Sequence, residues 1–153
     1  MNQRISFAEA PKGMFAGLMN LGAYIKKSGI DPKLLTLIDT RVSQINGCAY
    51  CLDMHYKDAI HLGETPQRLY SLPAWRETPY YSEKERAVLA FSEAITLLPG
   101  GDVSDDVYNE VAKFYSVTEI ADLTLAIAMI NTWNRLNKTF RTIPGDYKVG
   151  MFG

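Results

Sequence analysis

The chain is poor in cysteine and in histidine, with two of each. It also lacks a run of like charge, because 16 basic and 17 acidic residues are interspersed and leave a formal net charge of -1. That balance argues against a nucleic-acid or anionic-membrane surface, since both need a concentrated positive field. The opening MNQRISFAEAP has no apolar core of the roughly 7 to 15 residues that a secretory signal requires. The expected location is the cytoplasm. Repeats, low-complexity stretches and Ser-, Gly- or Pro-rich linkers are absent too, so residues 1–153 read as a single domain. Sustained period-two alternation beside a hairpin signal is missing, which leaves an all-α reading.

A chain of 153 residues can bury a hydrophobic core without disulfide or metal staples, so no structural role is forced on Cys48 and Cys51. In a reducing cytosol a close pair of cysteines is redox-active or metal-binding rather than a static bridge.

What is present is helical punctuation. Met14, Leu18, Leu21 and Ile25 recur at helical spacing between Pro11 and Gly29, predicting a helix over about 11 to 28. Asp31 followed by Pro32 opens a second helix, with Leu34, Leu35, Leu37, Ile38 and Val42 inward and a break near Asn46 and Gly47. A third runs from that break through the cysteines to Gly63, with Leu52, Ala59 and Leu62 among its apolar positions. Pro66, Pro73 and Pro79 imply short turns over about 64 to 81. Ser82 with Glu85 and Ser116 with Glu119 form capping boxes, the first for a helix ending at Pro99–Gly101, the second for a final helix to Phe140. A shorter helix is expected between them, from Ser104 to Tyr115. In the last helix Asp122, Asn131, Asn134 and Arg135 exclude a bilayer span. That helix and the LPAW segment (72–75) carry more apolar surface than one small bundle readily buries, so self-association is expected.

The chemistry gathers in Cys48-x-x-Cys51-x-x-x-His55. On one helix these positions share a face, and residues three apart put their Cα atoms about 5 to 6 Å apart, within reach of an unstrained disulfide. A helix start favours a thiolate, and a nearby imidazole can take the thiol proton. Lowering a thiol pKa from about 8.5 to about 6.5 raises the thiolate fraction at pH 7 from roughly 3% to roughly 75%. The dipole argument favours Cys48 as the more acidic thiol. Zinc is a competing reading, with Cys48, Cys51 and His55 as ligands and His61 or Asp53 as a fourth. The second Cys-x-x-Cys or His pair of a structural zinc site is missing, so no metal is expected.

The stretch RVSQINGCAYCLDMHYKDAIHLGETPQRLYSLPAWRE (41–77), with ERAVLAFSEAIT (85–96) and INTWNRL (130–136), resembles the carboxymuconolactone decarboxylase superfamily, most nearly its AhpD-like alkylhydroperoxidase branch. The resemblance implies a compact bundle of about six to eight helices assembling as a trimer or hexamer, with no cofactor. It further implies that Cys51, paired with His55, attacks a peroxide to give a sulfenic acid. Cys48 then condenses with it, and a lipoyl-bearing or thioredoxin-like partner reduces the disulfide. The expected activity is a thiol-dependent hydroperoxide reductase with an antioxidant role. The alternatives are a disulfide reductase or a redox-sensing interaction module without peroxidase turnover.

Two members of that branch's proton relay differ here. Thr36 stands twelve residues before Cys48 in place of a Glu, and Tyr50 stands before Cys51 in place of a His. Glu93, on an otherwise apolar helix segment, is the candidate replacement, with His55 as its expected partner. Tyr50 is a candidate for packing or for a hydrogen bond to peroxide. His61 is expected at the surface, and Trp75, Trp133, Asn131 and Asn134 in helix contacts.

Overall fold

Local chemistry sets each helix boundary in the computed structural model, which describes residues 2–152. The helices are α1 (Lys12–Lys27), α2 (Pro32–Asn46), α3 (Ala49–His61), α4 (Pro66–Ser71), α5 (Glu83–Leu97), α6 (Asp105–Ala112) and α7 (Val117–Phe140). There is no strand among the described residues. Asp31 caps α2 by accepting from the backbone N–H groups of Lys33 and Leu34, with Pro32 supplying a helix-ready φ at the first position. Both capping boxes are formed, Ser82 with Glu85 and Ser116 with Glu119.

Two boundaries differ from the sequence reading. Helix α6 stops at Ala112 because the chain tightens there, with the N–H groups of Phe114 and Tyr115 both turning back to the Val111 carbonyl. Helix α3 ends at His61, and Leu62, expected inward, is 36% exposed, since Gly63 at φ 84° turns the chain away. Between α4 and α5 the chain makes a 3-10 turn over Leu72–Glu77, one of the short turns the prolines imply, and it packs against α4 and α2.

Helix α7 packs against α1, α2, α3, α5 and α6, which makes it the central helix. Its Ile120, Leu123, Ile127 and Ile130 meet Ile38 and Val42 of α2, Val88 and Phe91 of α5, and Val111 of α6 in the main core. Each such side chain contributes about 1.5–3 kcal/mol by leaving water. Leu37, Leu72, Trp75, Tyr81 and Leu89 form a second core. The LPAW segment is therefore not the sticky surface the sequence suggests, because Leu72 and Trp75 are buried within their own chain. Polar contacts fix the register of α7 on α2. Asn46 donates to Asn131 and Asn134, and Asn134 donates to the Ser43 hydroxyl. No helix among the described residues is long and apolar enough to cross a membrane.

Candidate active site

The site begins at the joint between α2 and α3. Gly47 closes α2 in the left-handed conformation (φ 62°, ψ 43°), which costs a glycine little because it has no Cβ. Cys48 follows in extended conformation as the N-cap of α3, so it stands one position before the helix that its spacing was expected to let it share with Cys51 and His55. Its Sγ accepts from the Cys51 backbone N–H at 3.4 Å, so it stands where the unpaired amides of a helix start favour negative charge. Cys48 and Cys51 are joined by a disulfide with Cα atoms 5.4 Å apart. Both are closed to solvent, at 1% and 0% exposure. From α7, Asn137 Nδ2 donates to Cys51 Sγ at 3.6 Å.

His55 lies one turn beyond Cys51 on α3 and is buried. Its Nδ1 is 3.6 Å from Asp39 Oδ2 on the facing helix α2, close enough for Coulomb attraction but longer than a good hydrogen bond. Asp39 is buried as well, and Asp39 Oδ1 and His55 Nε2 are enclosed with no hydrogen-bond partner in the protein. Burial, with repulsion from Asp58 added, pushes the Asp39 carboxyl up to about 8. Burial pushes the His55 imidazole down to about 4. Near neutral pH the pair is therefore an uncharged carboxylic acid facing an uncharged imidazole rather than an ion pair. A neutral imidazole is the form that can accept a proton.

Sequence reasoning missed Asp39. Thr36, which stands where the resemblance expects a relay Glu, is buried and spends its hydroxyl on the Lys33 carbonyl of its own helix. Asp39 lies one turn farther along α2, so a carboxylate still reaches His55, displaced by three residues. A scan for acids at i+3 and i+4 from the expected position would have found it.

Glu93 does not meet His55. Its carboxylate accepts from Arg41 Nε at 2.8 Å, from Trp75 Nε1 at 2.8 Å and from Arg76 at 2.7 Å. Burial opposes its ionisation, but Trp75, Arg76 and Arg41 together hold it below the usual carboxylate range. Glu93 thus ties α5 to α2 and the 3-10 turn as a charged anchor. The sequence does not show this partnership, because helical periodicity reports burial and not which neighbouring helix supplies the counter-charge.

Tyr50 packs its ring against Phe7 at 6.3 Å between centroids, and burial with the nearby Asp53 raises its hydroxyl pKa. Phe7 also meets Phe15, which stacks on Trp133, so an aromatic cluster flanks the cysteine turn. His61 is exposed, and Asp53 is held by Lys57 and by the Gly145 N–H. Among the described residues no group of three or more His, Cys, Asp or Glu side chains is placed to share a metal ion.

The Asp39–His55 pair has a consequence for stability. The folded Asp39 holds its proton to about 8, whereas the unfolded carboxyl releases it near 3.8, so this group makes stability fall as pH rises through that window. His55 has the opposite sign, adding stability as pH rises from about 4 to the unfolded value of 6.5. The two slopes oppose each other below pH 6.5, and Asp39 acts alone above it. Urea midpoints of the oxidised protein should fall between pH 6.5 and 8, and Asp39→Asn should flatten that slope. An Asn variant with the wild-type slope would place the titration elsewhere.

Residues 12–94 match the carboxymuconolactone decarboxylase family. The uncharacterized protein YdfG of Bacillus subtilis (strain 168) is 47% identical over 138 residues, spanning 90% of this chain and 93% of that protein. The uncharacterized protein YnjA of Escherichia coli (strain K12) is 27% identical over 88% of this chain and 71% of its own length. Among solved structures, one from Agrobacterium tumefaciens is of a protein of unknown function for which the antioxidant defence role of AhpD has been suggested. It superposes with a TM-score of 0.90 at 38% identity, covering 95% of this chain and 100% of its own. The debrominase Bmp8 shares the fold at a TM-score of 0.76 and 23% identity, over 86% of this chain and 70% of its own. With more than half its length matched and a relative 47% identical along nearly its whole extent, the chain belongs to the carboxymuconolactone decarboxylase family.

Proposed function

We propose that this protein is a thiol-dependent hydroperoxide reductase that cycles Cys48 and Cys51 between dithiol and disulfide. The observation that carries the reading is the Cys48–Cys51 disulfide at the start of α3, with buried His55 one turn beyond it and buried Asp39 of α2 facing His55. In the reduced protein the Cys51 thiol passes its proton to His55 Nε2, the ring nitrogen that Asp39 leaves unpartnered. The thiolate attacks the outer oxygen of the hydroperoxide and the O–O bond breaks. His55 returns the proton to the departing alkoxide, which leaves as an alcohol, and Cys51 becomes a sulfenic acid. The Cys48 thiol displaces water from it to form the disulfide. A lipoyl-bearing or thioredoxin-like dithiol then reduces the pair by exchange. No metal or organic cofactor enters any step, and such a cycle suits the reducing cytoplasm.

Thr36 in place of a relay carboxylate and the closure of both sulfurs favour a second reading, a disulfide reductase or redox-sensing module without peroxide turnover. A stoichiometric peroxide pulse on reduced, metal-free protein separates the two. Loss of two thiols per peroxide consumed supports the peroxidase. Intact thiols after the pulse, in a protein whose disulfide is still reduced by dihydrolipoamide or thioredoxin, would establish the second reading.

The same proposal includes a trimer or hexamer. Met19 and Tyr24 on α1 and Tyr56 and Ile60 on α3 are exposed apolar side chains of the kind an assembly covers. Light scattering that returned a monomer at micromolar concentration would remove this part.

A further inference from the structure

Asn137 stands one helix away from the motif and is 4% exposed. Its Nδ2 makes two contacts, to the Trp133 carbonyl at 3.0 Å on its own helix and to Cys51 Sγ at 3.6 Å on α3. Its Oδ1 is buried with no partner. That arrangement is costly, since an enclosed acceptor without a donor forfeits about 1–3 kcal/mol. Flipping the amide would cost more, because Oδ1 would then face both the Trp133 carbonyl oxygen and the sulfur. The amide is therefore fixed with its donor toward Cys51.

A neutral sulfur is a weak acceptor, whereas a thiolate is a strong one. The donor thus stabilises Cys51 most in its ionised form, and it reaches Cys51 rather than Cys48. Cys48 has its own donor, the Cys51 N–H. The two sulfurs are served by different groups, so their acidities can be altered separately.

We propose that Asn137 is a catalytic residue of the thiol cycle, its side-chain N–H holding the Cys51 thiolate and so directing attack to that sulfur. This inference rests on the reading of Cys48 and Cys51 as a working dithiol but not on peroxide being the oxidant. The donor gives up no proton and changes no bond. Its contribution is electrostatic and is present before the oxidant arrives.

The test titrates each sulfur alone by the pH dependence of iodoacetamide alkylation, Cys51 in a Cys48→Ser background and Cys48 in a Cys51→Ser background. Asn137→Leu, which keeps volume and removes the donor, should move the Cys51 midpoint upward by about one pH unit, a loss of about ten-fold in reactivity at pH 7. Asn137→Asp, which sets a negative charge against the sulfur, should move it farther. The Cys48 midpoint should stay in place in both. An unmoved Cys51 midpoint, or equal movement of both sulfurs, would overturn the proposal and leave Asn137 a packing residue. Should neither variant fold, the Asn137 amide protons of the Cys48→Ser protein, followed by NMR, must titrate with Cys51, and a flat profile counts against the proposal. Peroxide is absent from every arm, so a protein that fails to turn over peroxide yet shows the Cys51 shift loses the peroxidase reading and keeps this one.

Discussion

Cys51→Ser should abolish peroxide consumption, whereas Cys48→Ser should consume one equivalent and stop with a sulfenic acid on Cys51. The physical choice between the sulfurs is a contest of two effects. Cys48 has the helix start, whose amides favour a thiolate by about 0.3–1 kcal/mol at an exposed site and more when buried. Cys51 has His55 one turn away, about 6 Å along the axis, while Cys48 lies seven residues from it, about 10.5 Å along the axis. Proton transfer needs hydrogen-bond reach, direct or through one water, and the nearer sulfur has the shorter path to the imidazole. A pre-formed base contributes roughly 10²–10⁴-fold, which exceeds what the helix start alone supplies. Mass spectrometry after dimedone trapping reads which cysteine holds the oxygen. A dimedone adduct on Cys48 in the Cys51→Ser protein, with full peroxide consumption, would transfer the attacking role to the helix-capping sulfur.

His55→Ala should slow peroxide-driven disulfide formation by about ten-fold or more at pH 7 while changing the urea midpoint little. Without the imidazole no base receives the Cys51 proton during attack, so the reaction depends on thiolate formed by solvent, the rate midpoint moves to higher pH and the lost rate returns in alkali. A more basic thiolate is also intrinsically more nucleophilic, with a Brønsted slope of about 0.4–0.5, which offsets part of the loss. The displacement of the pH profile is therefore more diagnostic than the rate at one pH. Because burial holds the wild-type imidazole down to about 4, it stays an acceptor well into acid and should not itself limit the rate between pH 5 and 8. Stopped-flow rates from pH 5 to 10 compare the two proteins, and superimposable profiles would remove His55 from the chemistry.

The helices were legible because their signals are local. Asp31 with Pro32, Ser82 with Glu85 and Ser116 with Glu119 each announce a start within four residues, and each is made as read. The disulfide-capable spacing of Cys48 and Cys51 was legible for the same reason. The His55 partner was not. Glu93 and Asp39 both lie on helices packed near the site, and choosing between them requires knowing which faces of α2 and α5 meet α3. That is a tertiary fact, and the three charged and indole donors around Glu93 come from two other elements. Asn137 was invisible for a similar reason, since its distance of 86 residues from Cys51 in the chain is bridged only by the packing of α7 on α3. The exposed Leu62 and the buried LPAW segment show the same limit in apolar residues, whose identity reports hydrophobicity but not how much of the chain's own surface remains to cover them.

The joint at Gly47 and Cys48 makes the capping atom of α3 the same atom that changes oxidation state. In the dithiol an ionised Cys48 sulfur would hold the Cys51 amide as an anion, and in the disulfide it holds it as a neutral acceptor fixed by a covalent tether. Fraying of the helix start is thus resisted by the hydrogen bond alone in one half of the cycle and by the cross-link as well in the other. The Cys51 backbone amide becomes a built-in reporter of the pair, and its hydrogen-deuterium exchange rate should read redox state without any probe touching the sulfurs.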